Sequence, residues 1–179
     1  ADLRCALVRP KPAGKFPVII KYGFRLLAKP DNKRYAKHYI NDQAGITEAI
    51  ARGYVVCKFL RSDIAADTPG KRSEGVIGLY PEYDCGAIAA WAWGYQIVID
   101  ALGEMEFVDI DKVVATGHSR GGKSALCAAI YDDRIAIAAP NSSGTGGTGS
   151  LRYFEKGQRP QRIAAHIGKF DHWWPKRFL

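Results

Sequence analysis

Four short runs rich in β-branched residues, 17–22 (PVIIKY), 54–60 (YVVCKFL), 112–116 (KVVAT) and 135–139 (IAIAA), alternate along the chain with stretches of helical spacing. Strands separated by helices pair through right-handed crossovers, so the pattern predicts an α/β fold with a mostly parallel sheet between helical layers. One helix is read over residues 46–52, closed by Gly53. A longer one opens near Asp84, taken as its N-cap. The longer helix repeats Ile88, Trp91, Ala92, Tyr95, Ile99 and Leu102 at a spacing that lines one buried face, and Trp91 and Trp93 are both read as packing residues. The stretch from Arg61 to Asp84 is polar, contains Gly and Pro, and is expected to be a surface loop. In such a sheet ligands collect beyond the carboxyl ends of the strands. This directs attention to Gly23-Phe24, to Gly117 through Gly122, and to Asn141 through Ser150.

A chain of 179 residues with 47% apolar content can bury one core and is expected to be a single domain over 1–179. No apolar window is long enough for a membrane span. The formal charge of +8 suits an acidic partner or a scattered, solvated surface equally well, and no run interleaves basic and aromatic residues as a nucleic-acid face does. Cys5, Cys57, Cys85 and Cys127 show no metal or redox spacing, and Cys57 and Cys127 lie in apolar runs as core residues do. Neither cofactor nor metal is expected. The chain opens at Ala1, as a processed product or an internal piece would.

The string Gly117-His118-Ser119-Arg120-Gly121-Gly122-Lys123-Ser124 follows the third strand and leads into a helix read over Ser124 to Ile130. It fits two patterns. As G-x-S-x-G it is a nucleophile elbow: the flanking glycines clear a sharp strand-to-helix turn, Ser119 is exposed above the sheet, and the Arg120 amide supports an oxyanion. The second oxyanion donor is then expected just after the first strand, at Gly23-Phe24. As G-x-x-x-x-G-K-[ST] the same string is a phosphate-binding loop, with Lys123 on the phosphates and Ser124 on magnesium. That chemistry also needs a carboxylate at a neighbouring strand end to hold the metal, and the nearest such strand ends in Ala139-Pro140.

Several segments resemble the glucuronoyl esterases of carbohydrate esterase family 15, most closely the bacterial branch. They are GHSRGGKSAL (117–126), DDRIAIA (132–138), NSSGTGG (141–147), DHWW (171–174), AIAAWAWG (87–94), and the ARGYVV and SDIAADTPG segments ending at Gly70. The resemblance implies an α/β-hydrolase three-layer sandwich and cleavage of the ester between 4-O-methyl-glucuronate on xylan and lignin alcohols. It implies Ser119 as nucleophile, Arg120 as oxyanion support through both amide and guanidinium, and Lys123, Trp173 and Gln161 as substrate-binding residues. A secreted or periplasmic location is implied as well.

Two departures accompany the resemblance. The fungal branch places its triad acid in the glycine-rich loop, where this chain has Ser142, and the family histidine is expected beyond Leu179 together with the final strands. This chain is therefore read as the N-terminal and central part of the domain, with a companion C-terminal segment covering the apolar edge at 135–139. Within the chain, His166 and His172 respect the order Ser, acid, His; His118 is expected to pack or cap locally and His38 to be solvated. Two other functions fit the same residues: an acetylxylan or other small-ester esterase, and a catalytically silent binding module of hydrolase fold.

Overall fold

All four apolar runs are strands in the structure, a computed structural model that describes residues 2–23, 43–150 and 163–179. They are β2 (Phe16–Gly23), β3 (Val55–Leu60), β4 (Val108–His118) and β5 (Ile135–Asn141). A fifth strand, β1 (Cys5–Val8), has no counterpart among those runs and pairs antiparallel with β3, placing Leu7 opposite Cys57. Four residues, of which only Val8 is β-branched, carry too little pattern to be read alone. The sheet order is β1-β3-β2-β4-β5, and every pairing except β1 with β3 is parallel. Every residue of β3 is buried, as expected of an inner strand covered on both faces.

The helices with described residues are α1 (43–51), α2 (Val76–Leu79), α3 (Ala87–Gly103), α4 (Arg120–Tyr131) and α5 (Ile163–Lys169). The six α3 residues named from the sequence are all buried. Trp93 is not: it is 42% exposed, because two residues beyond Trp91 a helix has turned by about 200° and faces the other way. Its packing role is thus corrected. Nor does Asp84 cap α3, whose N-cap is Gly86. Its carboxylate instead accepts the backbone N–H groups of Lys176 (2.5 Å) and Arg177 (3.0 Å), fastening the C-terminal turn.

The expected surface loop at 61–84 is only partly one. Arg61, Ile64, Ala65 and Ile77 are buried, and the Trp91 indole donates to the Ala65 carbonyl at 3.0 Å. Gly94 lets α3 approach this segment, since a Cβ there would lie 2.2 Å from Ile64 Cδ1. On the same helix the Tyr95 hydroxyl donates to the Thr116 carbonyl at 2.7 Å, locking α3 to β4 just ahead of the Ser119 turn. At the far side of the sheet β5 has β4 as its one partner among the described residues, and Ile137 on it is 58% exposed. Cys57 is buried and Cys127 half-buried, and all four thiols are free.

Candidate active site

The turn between β4 and α4 is built by close backbone contact. Ser119 has φ 57° and ψ −120°, left-handed values that an L-residue adopts at a cost of about 1–3 kcal/mol. Ser119 and Ser142 are the two non-glycine residues with positive φ among those described. A side chain at position 117 would place its Cβ 2.5 Å from the Gly121 carbonyl carbon and oxygen, so the chain can fold back on itself only with glycine there. At Gly122 a Cβ would meet Ser143 Cβ at 2.9 Å and the Asn141 carbonyl at 3.0 Å. The turn is held by the Ser119 amide donating to the Asn141 carbonyl (2.9 Å) and by the Gly122 (2.9 Å) and Lys123 (3.2 Å) amides donating to the Ser119 carbonyl. Because of these bonds α4 opens at Arg120, four residues earlier than the sequence suggests.

As the first residue of α4, Arg120 has a backbone N–H without an intrahelical acceptor, at the positive end of the helix. Its guanidinium lies 4.9 Å from the centre of the Trp173 ring and donates to Asp67. Asp67 is the residue that sequence reasoning missed. Its carboxylate pairs with Arg61 at 2.5 Å through one oxygen, which Arg120 shares, and through the other meets the Trp173 indole N–H at 2.9 Å and His172 Nε2 at 3.1 Å. Burial works to raise its pKa, but these donors and the two cations outweigh burial and hold it below the usual carboxylate range. The only local signal was an acid placed directly after the apolar triplet Ile64-Ala65-Ala66.

Lys123 is 4% exposed. Its ammonium donates to the Ser143 and Thr145 carbonyls, the latter at 2.6 Å, so two of its three N–H groups hold the glycine-rich loop. Burial, reinforced by the Arg120 charge, pushes its pKa down to about 8. A phosphate-binding lysine commits its whole ammonium to the ligand, whereas this one spends two N–H groups on backbone carbonyls, which disfavours the nucleotide reading. Trp173, expected to line a sugar site, is buried. Phe170 stacks on its ring at 4.0 Å between centroids, and Arg120 lies over it as well. Gly23 ends β2 opposite Leu60 of β3. Phe24, His38 and Gln161 fall outside the described residues.

Neither His166 nor His172 shares a hydrogen bond with Ser119 among the described residues; His172 spends Nε2 on Asp67. His166 is buried among the rings of Trp174 (5.3 Å), Trp173 (6.2 Å) and Phe170 (6.4 Å). Burial first, and the Lys123 charge second, lower its pKa, so it is neutral at pH 7. His118 is exposed beside the elbow. The Ser142 hydroxyl, where the fungal branch would carry its acid, hydrogen-bonds the Asn141 side chain at 3.0 Å.

A family model described as "Glucuronyl esterase, fungi" matches residues 2–179. The 4-O-methyl-glucuronoyl methylesterase of Hypocrea jecorina is 36% identical over 135 residues, which are 70% of this chain and 29% of that protein. A carbohydrate esterase from an unknown prokaryotic organism is 37% identical over 142 residues, 74% of this chain and 32% of its own length. Among solved structures, a family 15 glucuronoyl esterase from Caldicellulosiruptor kristjansonii superposes with TM-score 0.78 at 31% identity, covering 97% of this chain and 49% of that one. The chain thus spans about a third of the curated relatives it matches and about half of the solved ones. With the elbow formed at Ser119, the sheet order of an α/β-hydrolase and a family match along nearly its whole length, the chain belongs to the glucuronyl esterase family.

Proposed function

We propose that the protein is a serine carboxylic-ester hydrolase that cleaves 4-O-methyl-glucuronoyl esters linking xylan to lignin alcohols. The observation that carries the reading is the strained Ser119, presented between β4 and α4 by glycines that a nucleophile elbow requires and that the close backbone contacts of this turn demand. The Ser119 hydroxyl gives its proton to the general base and adds to the ester carbonyl, and the Arg120 amide and guanidinium support the oxyanion, with Gly23 and Phe24 as the source of a further donor. Collapse of this intermediate expels the alcohol and leaves the glucuronoyl group on Ser119. Water then releases the acid. The names of the relatives support the uronate as acyl group. In this reading the remaining Lys123 N–H faces the sugar ring, Gln161 joins it, and Trp173 acts from beneath Arg120.

The general base and its acid come from a segment following the 1–179 portion of the domain, the same segment that pairs with the open edge of β5. The protein works outside the cytoplasm, where its polymeric substrate lies. Among the described residues no helix is long and apolar enough to cross a membrane.

The test uses the full-length protein. A fluorophosphonate should label Ser119, and Ser119→Ala should abolish labelling and lower kcat on benzyl glucuronate by about 10⁶, as loss of the nucleophile does in serine hydrolases. Labelling without turnover of any glucuronate ester would sink the substrate assignment. Absence of labelling would favour a silent binding module.

A further inference from the structure

We propose that Asp67 is the positioning residue for Arg120, holding its guanidinium beside the nucleophile. This rests on the reading of Ser119 as nucleophile and Arg120 as its oxyanion support. Asp67 lies in the segment following β3, 53 residues before Arg120, and its side chain is only 10% exposed. A carboxylate offers about four lone-pair directions, and here four donors take them. Arg61 and Arg120 share Oδ2, while the Trp173 indole and His172 Nε2 meet Oδ1. One buried anion thus joins the end of β3, the elbow and the C-terminal turn.

Two consequences follow for Arg120. Its guanidinium is fixed at one edge by the carboxylate and on one face by the Trp173 ring, which removes rotamer freedom from a long side chain. Its neighbour Arg61 is also a cation bound to the same oxygen, so without Asp67 the two like charges would repel at close range. Arg61 is buried and further held against the rings of Tyr22 (5.6 Å) and Trp91 (5.1 Å). Arg120, 30% exposed at its side chain, is the one free to swing outward. Asparagine cannot replace the aspartate in either orientation. Its amide N–H groups would face two guanidinium groups or the indole N–H, and all of these only donate.

A double-mutant cycle on the full-length protein tests this through the rate of Ser119 labelling by fluorophosphonate, normalised to the labelling end point so that unfolded protein does not count. With Arg120 present, Asp67→Asn should slow labelling, and kcat on the preferred ester, about ten- to fiftyfold, the loss expected for a displaced charged hydrogen-bond donor. KM should change less than about threefold, since binding of the ground state is left intact. In the Arg120→Ala background the same substitution should cost less than about a factor of two, because its target is gone. Asp67→Glu, which keeps the charge but moves it, goes through the same cycle and keeps the test decisive if the asparagine variant does not fold. An equal loss in both backgrounds, or no loss with Arg120 present, would overturn the proposal. Because labelling does not depend on the ester, failure to hydrolyse methyl glucuronate would remove the substrate reading and leave the measured coupling between Asp67 and Arg120 intact.

Discussion

Replacement of Lys123 by methionine separates the two costs that the buried ammonium balances. Two carbonyls, of Ser143 and Thr145, lose their donor, each at about 1–3 kcal/mol for a buried group left unpaired. Against this, a lysine pKa lowered from 10.5 to about 8 means that the folded state carries the charge at a penalty of about 3 kcal/mol at neutral pH, which methionine relieves. The two terms nearly cancel at pH 7, where Lys123→Met should change the unfolding free energy by no more than about 2 kcal/mol in either direction. They do not cancel at high pH. Between pH 8 and 10.5 the unfolded chain holds the Lys123 proton and the folded chain has released it, so wild-type stability gains as pH rises through this window. Subtracting the variant's stability at each pH removes every other titrating group. The difference should move in favour of wild type by about 2.5 kcal/mol between pH 7 and pH 10, measured by urea unfolding of the full-length proteins. A flat difference would refute the argument that burial burdens this ammonium. Activity adds a second reading: if Lys123 acts by holding the loop, p-nitrophenyl acetate and benzyl glucuronate turnover fall together in the variant; if its third N–H reads the sugar, the glucuronate falls further.

Gly117→Ala should be severe for so small a change, since its Cβ meets Gly121 backbone at 2.5 Å and backbone must move. We expect a stability loss of about 1–3 kcal/mol in thermal unfolding, and Ser119 labelling slowed about a hundredfold, as a shift near 1 Å in reacting geometry produces. Asp84→Ala should accelerate amide hydrogen exchange at Lys176 and Arg177 while leaving Ser119 labelling unchanged. The pKa of Asp84 is lowered, first by the Arg177 and then by the Lys176 amide, so wild-type protection is present at neutral pH and is lost as pH falls through that lowered value.

What could be read in the sequence was what is local. The elbow is a five-residue matter of glycine spacing after a strand, and β2, β3, β4 and β5 each declare themselves in a handful of β-branched residues. The 3.6-residue period placed Trp91 inside, and applied strictly it would have placed Trp93 outside. Asp84 had the residue type and position of a helix cap. It was claimed instead by amides 92 and 93 residues away, which no window around the helix contains.

The same distinction governs the site's electrostatics. Lys123 stands one turn into a helix, and sequence alone leaves it in solvent, on a sugar or under a loop. The parallel pairing of β4 with β5 decides the matter, because it returns residues 143 and 145 over the helix start and gives the ammonium two carbonyls to hold. Asp67 becomes a hub only when partners 53 to 106 residues away converge on it. Once they have, the charges of these described residues can be compared: Arg61 and Arg120 on the Asp67 carboxylate, and Lys123 within reach of the Arg120 charge. Among these described residues the cations outnumber the anion, and the Arg120 charge lowers the Lys123 pKa further after burial has done so. Such a surplus is costly in a resting protein, yet an ester cleaved at Ser119 passes through an oxyanion and ends as a carboxylate. In the proposed reaction these cations are matched to charge that appears only as the ester is cleaved, which is the condition for stabilising a transition state more than a neutral ester.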